Sequence, residues 1–300
     1  MALPFVLLIT AVLLALLLVF IWRSRWRRAR LLATIQVRTV GDFASENLGN
    51  RRSIHVFLPP GYDTDKERRY KVLYVNDGQE MEALRMRETL ARLTVARRME
   101  PIIVVAIPSN EDRLHEYGTA VTANAQGLGT KAHAYARFVV EDLMPMINRK
   151  FRTLTGAPDT AILGASLGGL SAFDIAWNYP DLFGAVGVFS GSFWWGAGEE
   201  DESVTPNALI AHEMVRTAGY RPGFRAWFQA GTLDEAADRD QNGVIDAIQD
   251  TLELIDELEQ LGYGRGRDIV YVEVRGGRHN YRTWASAFPD FLKWAFPEIR

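Results

Sequence analysis

A serine set between glycines carries the most specific chemical signal in the sequence. In the run ILGASLGGLSAF at residues 162–173, Ser166 stands two residues after Gly164 and two before Gly168. An apolar segment precedes this run and a helix-like segment follows it, so we expect the chain to turn sharply from a strand into a helix at Ser166. Glycines relieve the crowding of such a turn, which exposes the serine hydroxyl for nucleophilic attack.

A serine hydroxyl is a weak nucleophile unless a base accepts its proton and a third group orients that base. His279 is the candidate base because it stands in RGGRHNYRTW, directly after the last apolar segment. Asp234 is the candidate acid, since it is the carboxylate nearest the end of the strand segment in FQAGTLDEAADRD. His115 remains an alternative base, and Glu235 and Asp238 are alternative acids. A solvated acidic loop without a catalytic role would also explain the second segment.

Attack on an ester carbonyl also requires N–H donors for the negative charge that forms on the oxygen. One predicted donor is the backbone N–H of Leu167, which follows the serine. The second is predicted near Gly78 or Gln79 in VLYVNDGQE, where a strand segment ends. A simple strand-ending turn would have the same composition.

Three residues are predicted to contact substrate. Trp194 and Trp195, in SGSFWWG, follow an apolar segment and could stack on a sugar or an aromatic acyl group. A hydrophobic wall without ligand preference explains them equally well. Arg113 lies in the loop after the segment ending at Ile107 and could bind a polar part of the substrate, although a surface salt bridge is an equal alternative.

The elements that position these residues follow from hydrophobic periodicity, with short apolar segments alternating with longer amphipathic ones. This alternation predicts an α/β fold with a mostly parallel sheet, an antiparallel edge formed by the first strands, and helices on both faces. Ligands bind at the carboxyl ends of such strands. The predicted strands are Ser53–Leu58, Lys71–Val75, Ile102–Ile107, Thr160–Leu163, Ala185–Phe189, Ala226–Gln229 and Ile269–Val274. The predicted helices are Glu80–Met99, Ala132–Arg149, Leu167–Asn178, Ile245–Leu261 and Trp284–Trp294.

Six segments together resemble the putative esterase family of α/β-hydrolases, which includes enterochelin-type siderophore esterases and feruloyl or acetyl xylan esterases. The segments are VFLPPGYD, VLYVNDGQ, ILGASLGGLSAF, YPDLFGAVGVFSGSFWW, AGTLDE and GGRHNYRTW, within about residues 50–297. The resemblance implies the α/β-hydrolase fold, with Ser166, His279 and Asp234 as nucleophile, base and acid. It also implies Gln79 and Leu167 as the oxyanion donors.

The function expected from this resemblance is hydrolysis of a small-molecule carboxylic ester, of siderophore or acylated-carbohydrate type, with no cofactor required for catalysis. Two alternatives remain open at this point. One is acyl transfer to an alcohol other than water on the same fold, and the other is a non-catalytic, membrane-tethered binding protein.

The stretch DRDQNGVID departs from the common family pattern and matches a calcium-binding loop. Hard oxygen ligands at alternating positions, followed by a glycine turn, suit Ca²⁺. Gln249 replaces the glutamate expected at position 12. We expect a structural ion here or, as an equal alternative, a solvated acidic turn. The candidate ligands are Asp238, Asp240, Asn242, Val244, Asp246 and Asp250.

The N-terminal stretch from Leu3 to Trp22 contains no charged residue and is long enough to cross a bilayer. We therefore expect a transmembrane anchor at residues 1–22, a basic juxtamembrane linker at 23–36 and an esterase domain at 37–300, with a cleaved signal peptide as the alternative. Five arginines follow the span between residues 23 and 30. The positive-inside rule places the catalytic domain in the cytoplasm, with a periplasmic or extracellular location as the alternative.

Overall charge and composition exclude several other classes. The chain carries 34 basic and 37 acidic residues, for a net charge of -3, and without the five juxtamembrane arginines the balance is 29 to 37. This balance disfavours a nucleic-acid partner, whereas the arginine cluster suits lipid headgroups. The chain has no cysteine, which excludes disulfides, thiolate zinc sites and a cysteine nucleophile. The sequence does not indicate an oligomeric state.

Overall fold

A computed structural model describes residues 2–196 and 209–298. In the N-terminal helix it describes the side chains from residue 13 onward, except that of residue 15. All eight strands of the described residues belong to one central sheet. The strands are β1 (Gln36–Ala44), β2 (Arg51–Leu58), β3 (Lys71–Asn76), β4 (Ile102–Ile107), β5 (Thr160–Ala165), β6 (Ala185–Phe189), β7 (Arg225–Leu233) and β8 (Ile269–Arg278).

The strand order is β1-β2-β4-β3-β5-β6-β7-β8, and the strands from β4 to β8 in this order run parallel. β1 pairs antiparallel with β2, and β2 pairs antiparallel with β4. The expected mostly parallel sheet with an antiparallel edge is therefore confirmed. Because parallel strands end at the same edge, the loops after β3 to β8 meet there and can build one site.

Helices cover both faces of the sheet. They are α1 (Ala2–Ala33), α2 (Met86–Val95), α3 (Arg113–Glu116), α4 (Ala132–Arg137), α5 (Met144–Lys150), α6 (Leu167–Asn178), α7 (Ile210–Arg216), α8 (Asp246–Gln260) and α9 (Tyr281–Ala295). A π-helical segment, Phe138–Leu143, joins α4 to α5. One hydrophobic cluster packs α4 to α8 on one face, and a second packs α2 and α9 on the other. Since both faces are covered, β4 reads IIVVAI and is buried throughout.

The long helix predicted at Glu80–Met99 is wrong at its start. The first turn after β3 is a short 3₁₀ helix, Gly78–Glu80, and α2 begins only at Met86. Arg85 adopts a left-handed conformation with φ 54°, which a continuous right-handed helix cannot accommodate. The prediction also missed β1, whose side chains are mostly exposed and so lack an apolar alternation. It missed α7, a helix of seven residues.

The N-terminal helix α1 runs without interruption through residues 23–33, which were expected to form a linker. Its C-terminal part packs against α2: Arg28 forms an ion pair with Glu88 at 2.9 Å, and Arg87 donates to the carbonyl of Leu32 at 3.0 Å. Among the residues that the structure describes, no helix combines the length and the apolar composition needed to cross a bilayer.

Candidate active site

The predicted nucleophile lies at a strained turn between β5 and α6. Ser166 has φ 56° and ψ −130°, a sparsely populated positive-φ conformation that costs a residue with a side chain about 1–3 kcal/mol. Its N–H donates to the carbonyl of Phe189 at 2.9 Å, and its own carbonyl accepts from the N–H of Gly169 at 2.9 Å. These bonds hold Ser166 half-buried at the carboxyl edge of the sheet, as the glycine spacing predicted.

The two flanking glycines are required by close backbone contacts. A Cβ on Gly164 would overlap the carbonyl oxygen of Gly168, one turn into α6. A Cβ on Gly168 would lie 2.8 Å from the carboxylate of Asp77, at the end of β3. Close approach, more than unusual dihedral angles, therefore explains why glycine occupies both positions.

The acid and base candidates are brought together by the pairing of β7 with β8. Leu233 pairs with Arg278 across this parallel ladder. Asp234 directly follows β7 and His279 directly follows β8. The two residues therefore leave the carboxyl edge of the sheet side by side, on neighbouring strands about 4.8 Å apart. Residues 45 positions apart in sequence thus become neighbours, as the catalytic hypothesis requires.

The nucleophile ends its strand at the same edge. Ala165 of β5 pairs with Phe189 of β6, and Phe189 pairs with Gln229 of β7. Ser166 is therefore separated from the acid loop by the single strand β6 along the sheet. This places the three candidate groups in the order nucleophile, acid, base across the sheet.

An irregularity at the end of β8 sets the position of the histidine loop. Gly231 pairs with Val274, yet the next pair is Leu233 with Arg278, so β8 uses three residues where β7 uses one. Such a bulge bends the strand and re-aims the side chains after it. A Cβ on Gly231 would lie 2.6 Å from the carbonyl oxygen of Gly277, so glycine at residue 231 permits the bulged strand to approach.

His279 is an exposed residue whose ring packs edge-to-face against Trp284 at 5.2 Å between centroids. Partial removal from water lowers the pKa of His279, the nearby Asp234 carboxylate opposes this effect, and the Arg113 cation lowers the pKa further. Trp284 is itself fixed, because its indole N–H donates to the Ser190 hydroxyl at 2.8 Å. These effects together lower the pKa of His279 and so favour the neutral imidazole, which is the form that accepts a proton.

One carboxylate oxygen of Asp234 accepts a hydrogen bond from the protein, and the other accepts none. Its Oδ2 accepts from the N–H of Gly231 at 2.8 Å, whereas Oδ1 is buried without a hydrogen-bond partner. Within the described residues, no hydrogen bond joins His279 to Asp234 or to Ser166. Catalytic hydrogen bonds are commonly long before substrate binds. The unpartnered Oδ1 is the acceptor that an imidazole N–H would require.

The predicted oxyanion donors stand at the starts of two helical turns. Leu167 is the first residue of α6 and Gln79 the second residue of the 3₁₀ turn, so neither N–H has a partner within its own helix. Asn76 connects the two turns, because its side-chain amide donates to the carbonyl of Gly168 at 2.8 Å. The Gln79 side chain is already hydrogen-bonded to Ser109. Its Nε2 donates to the Ser109 hydroxyl and its Oε1 accepts from the Ser109 N–H, both at 2.9 Å.

The three predicted substrate contacts separate in the structure. Trp194 is 47% exposed, whereas Trp195 is 0% exposed and packs on Gly118 and Gly129, leaving only Trp194 open to a ligand. The prediction for Trp195 is therefore corrected to a packing role. Arg113 uses Nε and Nη2 to bond both oxygens of the Asp77 carboxylate at 2.7 Å, the ion-pair alternative raised from the sequence.

The calcium-like loop is closed by hydrogen bonds among its own residues. Asp238 accepts from the N–H of Gly243 at 2.9 Å, and Asp240 accepts from the Asn242 amide at 3.1 Å. Asp250 is 1% exposed and forms an ion pair with Arg239, so it does not take the ligand position expected for it. Val244 is exposed and Asp246 accepts from the N–H of Arg239 at 3.0 Å. In the described ranges, no three acidic or histidine side chains gather as a metal-binding group.

Sequence reasoning missed the residues that support the site. Asp77 is 3% exposed and has φ 54°, and its N–H donates to the hydroxyl of Tyr117 at 3.0 Å. Trp284 and Tyr281 pack edge-to-face at 4.8 Å beneath the histidine loop. The dipeptide Asp77-Gly78 was a visible turn signal, but the contacts of the aromatic residues depend on distant parts of the chain.

Comparisons with known proteins agree with this geometry. Residues 45–295 match the family model described as "Putative esterase", and the chain belongs to this family. The fold is that of the α/β-hydrolase type, and the protein is a carboxylic ester hydrolase by class. The resemblance seen in the six sequence segments is confirmed.

Two protein relatives illustrate the range of similarity. An uncharacterized protein of Bacillus subtilis, YbbA, is 24% identical over 264 residues, which is 87% of this chain and 98% of that protein. An iron(III) enterobactin esterase of Dickeya dadantii is 30% identical over 266 residues, or 85% of this chain. The chain spans only 54% of that esterase, so the activity of the whole relative does not transfer directly.

Solved structures share the fold at lower identity. A ferulic acid esterase superposes with a TM-score of 0.67 at 20% identity, covering 89% of this chain and 99% of that one. The enterobactin esterase from Shigella flexneri, solved in the presence of enterobactin, gives a TM-score of 0.66 at 22% identity. That match covers 87% of this chain and 58% of the esterase.

Proposed function

We propose that the protein hydrolyses carboxylic esters through a Ser166, His279 and Asp234 triad. The Ser166 hydroxyl attacks the ester carbonyl while His279 accepts its proton, and Asp234 stabilises the imidazolium. The backbone N–H groups of Leu167 and Gln79 receive the charge on the carbonyl oxygen. His279 then donates the proton to the leaving alcohol, and water releases the acyl group by the reverse sequence.

The observation that carries this proposal is the register of β7 and β8, which makes Asp234 and His279 adjacent at the edge where Ser166 turns out of β5. A structural loop would not need an unpartnered buried carboxylate oxygen at the base of the histidine loop. The strained serine and the two free N–H donors support the same reaction.

For substrate, we propose an ester with an aromatic or otherwise apolar acyl group. Trp194 is exposed on the loop after β6, Leu114 is 50% exposed in α3, and Val121 is 65% exposed on the loop after α3. Aromatic side chains provide stacking surfaces for planar acyl groups. One structural neighbour is named a ferulic acid esterase, and ferulic acid is an aromatic acid, which supports an aromatic acyl group.

This proposal is tested with the purified full chain and a panel of feruloyl, catecholate siderophore and acetyl-sugar esters. We expect hydrolysis of the aromatic esters at kcat/KM values about tenfold above the acetyl sugars, since an aromatic pair adds about 0.5–1.5 kcal/mol beyond the apolar area that it buries. Preference for acetyl sugars would contradict the substrate class alone. Formation of a new ester with an added alcohol would instead favour acyl transfer.

We also propose that the apolar stretch Leu3–Trp22, whose first ten side chains lie outside the part that the structure describes, anchors the protein in a membrane, with the catalytic domain in the cytoplasm. Apolar side chains from Leu16 to Trp22 are 41–71% exposed, so the other described residues do not cover them. Trp22 and Trp26 stack at 6.4 Å next to the arginines, the arrangement typical of a membrane interface. On this proposal the full chain stays in the pellet after carbonate extraction of cell membranes. Its release into the supernatant would contradict the anchor.

A structural Ca²⁺ in the loop of residues 238–250 remains a proposal supported by the ligand spacing. The carboxylates of Asp238 and Asp240 lie close together, since both accept from the backbone N–H of Asn242, at 3.1 and 3.3 Å. We expect the melting temperature of the full chain to fall by several degrees with EGTA and to recover with Ca²⁺, because a bound ion stabilises the folded state. The Asp240→Asn variant should lose this response, and an EGTA-insensitive midpoint in the parent would refute the site.

A further inference from the structure

The ion pair between Arg113 and Asp77 connects two loops that the proposed reaction needs. Arg113 lies at the start of α3, after β4, and Asp77 precedes the turn that carries Gln79. We propose that Arg113 is a positioning residue for the oxyanion hole and acts through Asp77. This inference depends on the proposed esterase function and assigns Arg113 a task other than substrate binding.

The turn from Asp77 to Glu80, which Arg113 contacts through Asp77, begins in an unfavourable backbone conformation that other contacts must stabilise. Asp77 is left-handed, at φ 54° and ψ 48°, a conformation that residues with a side chain adopt only when neighbouring contacts impose it. A Cβ on Gly78 would lie 2.5 Å from the backbone nitrogen of Ile107, so the turn also presses against the end of β4. The position of the Gln79 N–H therefore depends on what fixes Asp77.

The segment after β4 supplies that fixation at three points. Arg113 bonds both carboxylate oxygens of Asp77 at 2.7 Å. The hydroxyl of Tyr117 accepts from the N–H of Asp77 at 3.0 Å, and Ser109 bonds the Gln79 side chain. Arg113 also lies over the Tyr117 ring at 5.0 Å. The turn that carries Gln79 is thus bonded on one side to residues 109–117 and faces α6 on the other.

The charge of Arg113 matters as much as its geometry. The Asp77 side chain is 4% exposed and lies against Gly168 in the first turn of α6, close to where a negative oxyanion would form. An unpaired carboxylate at this place would repel that oxyanion. The guanidinium neutralises the carboxylate and, through a two-pronged contact that lysine cannot reproduce, also orients it.

The experiment compares Arg113→Lys, Arg113→Met and Asp77→Asn with the parent full chain on one p-nitrophenyl ester. We expect kcat to fall about 10- to 100-fold in Arg113→Met and by a smaller factor in Arg113→Lys, with KM changing less than about threefold. Loss of a whole oxyanion donor sets the upper limit of such effects at about 10²–10³. The double variant Asp77→Asn/Arg113→Met should lose no more than the worse single variant, because the pair acts as a unit.

Two further readouts separate positioning from general structural damage. Removing the Arg113 cation should raise the pKa of His279, so the acid limb of the kcat/KM profile should move to higher pH in Arg113→Met and stay in place in Arg113→Lys. The other charged group acting on His279, Asp234, is unchanged in both variants. Arg216→Lys, which alters an ion pair with Glu257 on α8, is the control and should keep parental kcat.

Unchanged kcat in Arg113→Met, or a large rise in KM alone, would overturn the positioning role and return Arg113 to substrate binding. Failure of the esterase proposal is distinguishable, since it would leave the parent inactive or the Ser166→Ala variant active. A fall in kcat that follows a lowered melting temperature in all three variants, with no shift of the acid limb, would also count against the proposal.

Discussion

Replacing Ser166 by alanine is expected to abolish ester hydrolysis, with kcat falling by about 10⁴- to 10⁶-fold. The variant retains the turn between β5 and α6, because the backbone N–H and carbonyl of residue 166 still make their bonds to Phe189 and Gly169. What it loses is the hydroxyl that the strained turn presents at the same carboxyl edge as the acid and base loops. Binding of the ester should survive, since the oxyanion donors remain.

The measurement is release of p-nitrophenol under saturating ester, together with covalent labelling by a fluorophosphonate reagent that reacts with activated serines. Ser286→Ala is the matched control: its hydroxyl bonds the carbonyl of Thr283 within α9 and has no part in the proposed reaction. The control should keep parental rate and labelling. A Ser166→Ala protein that is folded and hydrolyses the ester at the parental rate would rule out this mechanism.

Replacing Asp234 by asparagine should lower kcat by about 10⁴-fold while leaving the fold intact. The asparagine oxygen can still accept from the N–H of Gly231, but the side chain no longer stabilises an imidazolium at His279. It can also hold the wrong tautomer of the ring. Because Asp234 raises the pKa of His279, its loss should move the acid limb of the kcat/KM profile to lower pH even as the rate falls.

Glu235→Gln is the matched control for the acid, because Glu235 adjoins Asp234 and was its alternative from the sequence. Its carboxylate accepts from the N–H of Ala247 at the start of α8, away from the histidine loop. We expect less than a threefold change in kcat for this variant. If Glu235→Gln lost as much activity as Asp234→Asn, or Asp234→Asn lost none, the assignment of the acid would be wrong.

Local sequence patterns determined the strands and the serine turn to a large extent. The apolar run at Ile102–Ile107 is a strand with the predicted bounds, because burial on both faces requires an unbroken hydrophobic segment. The glycine spacing around Ser166 specified a close backbone approach, which depends only on residues a few positions apart. The helix predicted from Glu80 failed because the exposed Arg85 is left-handed, and this backbone conformation has no signal in hydrophobic periodicity.

The candidate site also combines features that local sequence determines with features that only the tertiary structure determines. The sequence by itself determined which residues have the chemistry for ester hydrolysis, because a nucleophile, a base and an acid each require a particular functional group at a strand end. Only the tertiary structure decided their partners: the β7–β8 register set Asp234 beside His279, Trp195 became a buried wall, and Arg113 paired with Asp77. Those outcomes depend on contacts between residues tens of positions apart, and such contacts follow from strand pairing and packing, which no local pattern specifies.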